Sequence, residues 1–319
     1  MSREALSISM EPSRTDAGDA QITKPVTKEQ VTVVIPVLNE EEAIGQVIDE
    51  VKQQGYRKIL VIDGYSTDRT AQIAREKGAI VVQQHGAGKA GALRTAFDLV
   101  NTPYMLVMDG DHTYDPKDAE KMLIHAGSYD EIIGVRSRKN IPLLHRIGNK
   151  IITYVFNLLL GTSLRDVCSG MYLLKTEAVR DLTLHSRGFE VEVEIASHVS
   201  STGRITEVPI DYRERIGKQK LTTWKEGFHI ITSIIRLARS YNPPFLLGTL
   251  FSLLAIPGIG ILLWQLALRY FHGGAGWSIG WAWLGLLLLI IGIQGFTIAT
   301  VTLLLKRVER RIMISLKGR

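Results

Sequence analysis

Between Val31 and Met108, short β-branched apolar runs alternate with amphipathic stretches. Val31–Ile35 reads VTVVI and meets Pro36, which predicts a strand that stops in a loop. Asn39–Glu42 then places acids where a helix begins, ahead of an amphipathic segment from Ala43 to Gln54. Lys58–Ile62 predicts a second strand, closed by Asp63 and Gly64, and Ser66–Asp68 predicts the cap of a helix over Arg69–Lys77. Ala79–Val82 and Ala90–Val100 follow as strand and helix, and Met105–Met108 is a fourth strand running into Asp109-Gly110-Asp111. Such alternation predicts an α/β domain with a parallel, doubly wound, Rossmann-like sheet, whose ligands bind beyond the carboxyl ends of the strands. Glu40, Asp63, Asp109 and Asp111 all fall at such ends.

The C-terminal third follows a different pattern. Phe245–Leu268 and Trp281–Leu305 contain no charged residue. Each is about 24 residues, or about 36 Å of helix, enough to cross a bilayer core. Both are apolar on every face, unlike helices that merely cover a core. The short, Gly-containing link Arg269–Gly280 makes the pair a transmembrane hairpin. Two other segments are amphipathic. In Pro142–Leu160 the apolar Leu144, Ile147, Ile151, Val155 and Leu158 recur at helical spacing beside His145, Arg146, Asn149 and Lys150. That pattern fits a helix resting in the membrane interface or one covering the core. Trp224–Ala238 carries a similar stripe and leads into the first span, which favours docking at the membrane surface. The expected plan is a flexible polar tail (1–29, no signal peptide), a globular domain (30–222), a juxtamembrane amphipathic helix (223–243), the hairpin (244–306) and a basic tail (307–319).

Charge orients this plan. Lys306, Arg307, Arg310, Arg311, Lys317 and Arg319 follow the second span, and Arg236 and Arg239 precede the first, whereas the hairpin link carries only Arg269 at its edge. The positive-inside rule then puts the domain and both termini in the cytoplasm. The net charge of +6 suits an anionic lipid surface, and no nucleic-acid-binding motif is present, so a bilayer rather than a nucleic acid is the expected partner. The single Cys168 excludes an internal disulfide and a multi-thiolate metal site, and reads as a packed thiol before a nucleophile.

Candidate chemistry centres on Asp109 and Asp111. Two carboxylates one residue apart leave extended backbone on the same side, so they can share one divalent cation of the kind that cradles a diphosphate leaving group. On its own, an Asp-x-Asp also closes strands without any function. His85–Gly91 suggests a phosphate loop but fails its pattern: Gln83 stands where the first glycine belongs, and Ala90 replaces the metal-binding hydroxyl. Lys89 is therefore either a phosphate contact at a helix start or part of a structural turn.

Several motifs occur in order: Ile35–Glu40 (IPVLNE), Val61–Asp68 (VIDGYSTD), Gly88–Leu93 (GKAGAL), Met108–Asp111 (MDGD), Gly134–Arg136 (GVR), Asp166–Gly170 (DVCSG), Gly188–Glu192 (GFEVE) and Arg215–Leu221 (RIGKQKL). As an ordered set they resemble family 2 glycosyltransferases of GT-A fold. More narrowly, they are similar to the polyprenyl-phosphate sugar synthases, such as dolichyl-phosphate mannose and glucose synthases. The resemblance implies that Pro36, Leu38 and Glu40 contact the nucleoside and that Asp63 reads its base. It implies that Asp109 and Asp111, with Gly110 between them, hold the diphosphate through Mg²⁺ or Mn²⁺. Arg215 and Lys220 would hold the nucleotide-diphospho-sugar, and Arg136 and Arg146 the acceptor phosphate, with Arg136 counted among the catalytic groups.

The chain departs from that pattern in three places. Ile62-Asp63 stands where many relatives have two acids. Thr113, after His112, stands where mannose synthases place a Gln. Ser169–Tyr172 reads SGMY where mannose synthases read Ser-Gly-Phe-Arg, which shifts the expectation from GDP-mannose toward UDP-glucose or UDP-N-acetylglucosamine. The implied reaction is an inverting, metal-dependent sugar transfer to a polyprenyl (dolichyl) phosphate, an acceptor already charged enough to attack without a general base. GDP-mannose as donor and a phosphate-loop NTPase using Lys89 are the alternatives. A processive polysaccharide synthase would carry Gln-x-x-Arg-Trp and more spans, and neither is present. The oligomeric state stays open, a homo-oligomer included.

Overall fold

The computed structural model describes residues 25–137, 139–184, 191–217, 232, 235–236, 238–273 and 275–317. Lys220, residues 188–190 and most of the juxtamembrane segment 223–243 lie outside the described residues, as does most of the N-terminal tail.

Seven strands form one sheet: β1 (Val31–Val37), β2 (Ile59–Asp63), β3 (Ile80–Gln83), β4 (Tyr104–Val107), β5 (Glu131–Arg136), β6 (Tyr172–Lys175) and β7 (Ile205–Ile210). Their order across the sheet is β3-β2-β1-β4-β6-β5-β7. Side-chain alternation divides the core in two. Val34, Leu60, Ile62, Met105 and Val107 face α3 (Gly88–Leu99), α5 (Leu143–Leu160) and α6 (Val191–Thr202). Val31, Val33, Ile35, Val61 and Leu106 face α1 (Ile44–Gln53), α2 (Thr70–Glu76) and α4 (Ala119–Leu123).

The expected elements through β4 form within a residue or two, with one instructive exception. Pro36 does not stop β1; it pairs in register with Ile62. Odd-numbered residues of β1 bond toward β2, as Val33 N to Lys58 O and Gly64 N to Val37 O show, so Pro36 faces the β4 side. Pairing with β4 ends at Val34, so the missing N–H of Pro36 falls where no partner strand remains. Here β1 and β4 part and the strand order reverses, opening the crevice in which α/β sheets place ligands.

The sheet is mixed rather than wholly parallel, because β6 runs antiparallel to both β4 and β5. The connection through α5 returns the chain to the end of the sheet from which β5 left it. Asp166–Gly170 therefore enters β6 beside the carboxyl ends of β4 and β5. Periodicity reports that a strand exists, not which way it runs.

The first apolar segment, Pro243–Phe271, is long enough for one span, but its helix is interrupted at Leu253 and Leu254, which divide it into α7 (Pro243–Ser252) and α8 (Ala255–Phe271). Pro257, in the first turn of α8, cannot donate to the preceding turn, so a new helix starts there. The second segment is a single helix, α9 (Ile279–Lys317), which runs unbroken through the span into the basic residues expected as a tail. Only 11% and 22% of the two apolar windows are buried within the protein, and both helices are long and apolar enough to cross a membrane. Aromatic residues gather at the hairpin link: Trp264 packs edge-on against Trp281, and Arg269 lies over Trp277.

Candidate functional site

The crevice between β1 and β4 collects side chains from the carboxyl ends of β1, β2 and β4. Past β1 the chain turns at Asn39 with φ 51°, and Glu40 sits buried with its backbone N–H donating to Thr70 Oγ1 at 2.8 Å. Pro36 is half-buried in β1, and Leu38 is exposed at the rim. At the end of β2, Asp63 is buried, and both of its carboxylate oxygens accept from the backbone N–H of Ser66 at 3.3 Å.

Beyond β4, Gly110 lies so close to β1 that a Cβ there would be 2.7 Å from Val37 Cγ1. That approach holds Asp109 and Asp111 on either side of a tight turn. Asp109 is packed against Gly170, whose added Cβ would lie 2.3 Å from Asp109 Oδ2. Gly170 N–H in turn donates to the Tyr114 hydroxyl at 2.7 Å. Asp111 Oδ1 accepts from Thr113 Oγ1 at 2.6 Å and from Thr113 N–H at 3.1 Å.

Both acids are ion-paired. Lys89, in the first turn of α3, lies 2.5 Å from Asp109 Oδ1 and 2.5 Å from Oε1 of Glu192 in α6. Burial alone would drive Lys89 toward the neutral amine, but the charges of Asp109 and Glu192 outweigh it and hold the ammonium above the usual lysine range. The Glu192 carboxyl shifts upward, because burial favours its neutral form more than Lys89 favours its anion. Arg215 bridges Asp111 Oδ2 at 2.8 Å and Glu40 Oε1 at 2.5 Å. It is delivered by a segment laid over the turn, with Arg213 N–H on Thr113 O at 2.8 Å and Ile216 N–H on Asp111 O at 3.1 Å.

The other sequence candidates form contacts outside these two bridges. Arg136, at the end of β5, forms a bidentate pair with Asp166 (Nε 2.7 Å, Nη2 2.8 Å) and lies over the Tyr212 ring. Arg146, in the first turns of α5, donates to the Ile141 carbonyl at 3.1 Å. His112 turns away, with φ 67°, toward Glu50 and Arg213, and contributes nothing to the acid pair. Burial would raise the Glu50 carboxyl, but hydrogen bonds from His112, Arg213 and Gln46 bring it below the ordinary range. Cys168 is packed, and burial pushes its thiol far above the reactive range. Three partners were not singled out from the sequence: Glu192 as the anchor of Lys89, Asp166 as the mate of Arg136, and Gly170 as the seat of Asp109. All three lie within the ordered motifs, but none has a local pattern that would reveal its contact.

Among the described residues no group of three or more His, Cys, Asp or Glu can hold a metal ion. The donor set nevertheless suits a hard cation of the Mg²⁺ or Mn²⁺ type. Such ions are commonly held by one or two carboxylates and filled out by substrate phosphate and water. Asp109 and Asp111 supply those carboxylates, and two basic side chains already occupy positions where positive charge is favoured.

Comparison with known proteins agrees with this architecture. Residues 32–183 match the family described as Glycosyl transferase family 2. The glycosyltransferase AglJ of Haloferax volcanii is 37% identical over 247 residues, covering 75% of this chain and 82% of that protein. A dolichyl-phosphate hexose transferase of the same organism is 33% identical over 219 residues, covering 66% of this chain and 95% of that protein. Among solved structures, glucosyl-3-phosphoglycerate synthase of Mycobacterium tuberculosis, in complex with Mn²⁺ and UDP-glucose, superposes with a TM-score of 0.54 at 19% identity. That match covers 65% of this chain and 78% of the other, and shows the shared GT-A fold.

Proposed function

Because the chain belongs to glycosyl transferase family 2 and is a glycosyltransferase, we propose that it moves a sugar from a nucleotide diphosphate to a polyprenyl phosphate. The observation that carries this reading is one juxtaposition. An acid pair with its own basic partners lies in the switch-point crevice of a domain joined to two helices fit to cross a membrane. A polyprenyl acceptor keeps its tail in the bilayer, so its enzyme must hold the site at the lipid surface. The name of the dolichyl-phosphate hexose transferase relative supports the same acceptor.

The chemistry asks little covalent work of the protein. A phosphate monoester has its second pKa near about 6, so the acceptor is largely a dianion at neutral pH and needs no general base. The protein's tasks are alignment and charge management. In this reading Glu40 and Asp63 receive the nucleoside, and Arg136, paired with Asp166 and lying over Tyr212, presents a planar cation to the acceptor phosphate. Arg146 serves the acceptor, and Arg215, with Lys220, the donor. A divalent ion held by Asp109 and Asp111 would offset charge on the departing nucleotide. Direct attack from the opposite face inverts the anomeric centre. The absence of the mannose-synthase Arg, with Tyr172 buried at that position, favours UDP-glucose or UDP-N-acetylglucosamine over GDP-mannose. The basic residues flanking the spans favour a cytoplasmic domain and cytoplasmic termini.

The test is transfer from radiolabelled UDP-glucose, UDP-N-acetylglucosamine and GDP-mannose to dolichyl and undecaprenyl phosphate. Wild-type enzyme is expected to form a labelled lipid with at least one pair. Asp111→Asn should lower its rate by about 100-fold or more without lowering the melting temperature. Full activity of Asp111→Asn would refute the metal role, and ATP turnover without sugar transfer would favour the phosphate-loop alternative.

A further inference from the structure

Four carboxylates and two cations meet at the crevice, and each cation is shared between two acids. Lys89 joins Asp109 to Glu192, and Arg215 joins Asp111 to Glu40, with all four contacts between 2.5 and 2.8 Å. Each acid of the pair is therefore ion-paired already, and each cation has a second carboxylate to hold it. The Lys89–Glu192 contact is sheltered, the Glu192 side chain being 4% exposed and that of Lys89 14%. Glu192 Oε2 has no hydrogen-bond partner among the described residues, so this carboxylate has spare capacity to grip the ammonium alone.

A divalent ion arriving by itself would have to displace two built-in cations from charge-assisted bonds that water screens poorly. A nucleotide diphosphate changes that balance, because its own charge attracts the same two side chains. We propose that Lys89 and Arg215 are internal counter-ions that keep the metal position closed in the free enzyme, that donor binding releases Asp109 and Asp111, and that Glu192 and Glu40 retain the cations afterwards. Metal and nucleotide then bind as a unit, and Glu192 is a positioning residue that acts through Lys89. This inference rests on the metal-dependent reading above.

The experiment measures Mn²⁺ binding to the full-length protein in detergent by electron paramagnetic resonance, with and without UDP or GDP. Wild type should bind Mn²⁺ about tenfold or more tightly with the matching nucleotide than without it. Lys89→Met should tighten nucleotide-free Mn²⁺ binding by about tenfold, a gain that misfolding does not produce, and Lys89→Arg should restore the weak binding. Glu192→Gln, which leaves Lys89 to Asp109 alone, should weaken Mn²⁺ binding both with and without nucleotide.

The proposal is overturned if a folded Lys89→Met binds Mn²⁺ no more tightly than wild type. Should that variant fail to fold, unchanged or tighter binding by Glu192→Gln overturns it. If either result accompanies intact transfer and an inactive Asp111→Asn, only the counter-ion idea falls. If wild type binds no Mn²⁺ even with UDP or GDP present, the metal-dependent reading falls as well.

Discussion

Glu131 opens β5 with 1% of its surface exposed, and its Oε2 has no hydrogen-bond partner among the described residues. Burial holds its carboxyl well above the ordinary value of 4.5 and so favours its neutral form in the folded protein. The unfolded chain ionises above that value and the folded chain does not, so each pH unit above it costs stability until the folded pKa is reached. Glu131→Gln removes this cost. The variant is expected to match wild type in melting temperature near pH 4. Near pH 7 it should be more stable by about 1–3 kcal/mol, or several degrees, and calorimetry at the two pH values checks this. Equal melting temperatures at pH 7 would mean that the carboxyl is ionised inside the fold. Glu192 is as deeply placed but has Lys89 beside it, so the two buried acids differ in charge management, not in burial. The same contrast sets the limit of the sequence at this scale. Asp109 and Asp111 were legible because they share one strand end. The Glu192–Lys89 and Asp166–Arg136 pairs join residues 103 and 30 positions apart, and no periodicity encodes such contacts.

Among the elements, strands and helices through β4 were legible because alternating patterns of different period mark them. Direction and continuity were not. The reversal of β6 follows from the path of α5, and Pro36 lies within β1 because its neighbour strand has already departed. The hairpin shows what apolar character alone conceals. Gly292 is so close to α8 that a Cβ would sit 2.4 Å from Ala255 N, and Gly248 and Gly258 are pressed against α9 in the same way. Helices pack this closely in lipid because dispersion contacts, rather than water exclusion, hold them together. Gly260, on the same helix as Gly258, has nothing within 4 Å of the position a Cβ would take. Gly292→Ala is therefore expected to lower the detergent-phase melting temperature, at a cost of about 1–3 kcal/mol, while Gly260→Ala leaves it within error. Equal effects of the two substitutions would show that the hairpin is not packed through these glycines.

At the scale of the whole molecule, the placement of α5 ties the domain to the hairpin. α5 packs against α9, and a Cβ at Gly161, just past its end, would lie 3.2 Å from Arg307 Cγ. Leu303 packs onto the domain core beside Ile152 and Val155 of α5. One face of α5 thus covers the core, while Leu143, Leu144, Ile147, Ile151 and Tyr154 form an exposed apolar stripe on the other. The two interpretations of this segment, core cover and interface helix, are compatible because they use different faces. If the domain docks on a bilayer as proposed, with the end of α5 fixed to the base of the hairpin, the stripe would lie at the lipid surface and Arg146 near its start would meet a phosphate there. Replacing Ile147 and Ile151 together by Glu should lower transfer to dolichyl phosphate in bilayers by about tenfold. Transfer to a short, water-soluble two-isoprene phosphate should be unchanged, because that acceptor reaches the crevice without the membrane. Equal loss with both acceptors would place the damage in the domain itself and refute the interfacial role of α5. Unchanged transfer with both would mean that the hairpin alone positions the site.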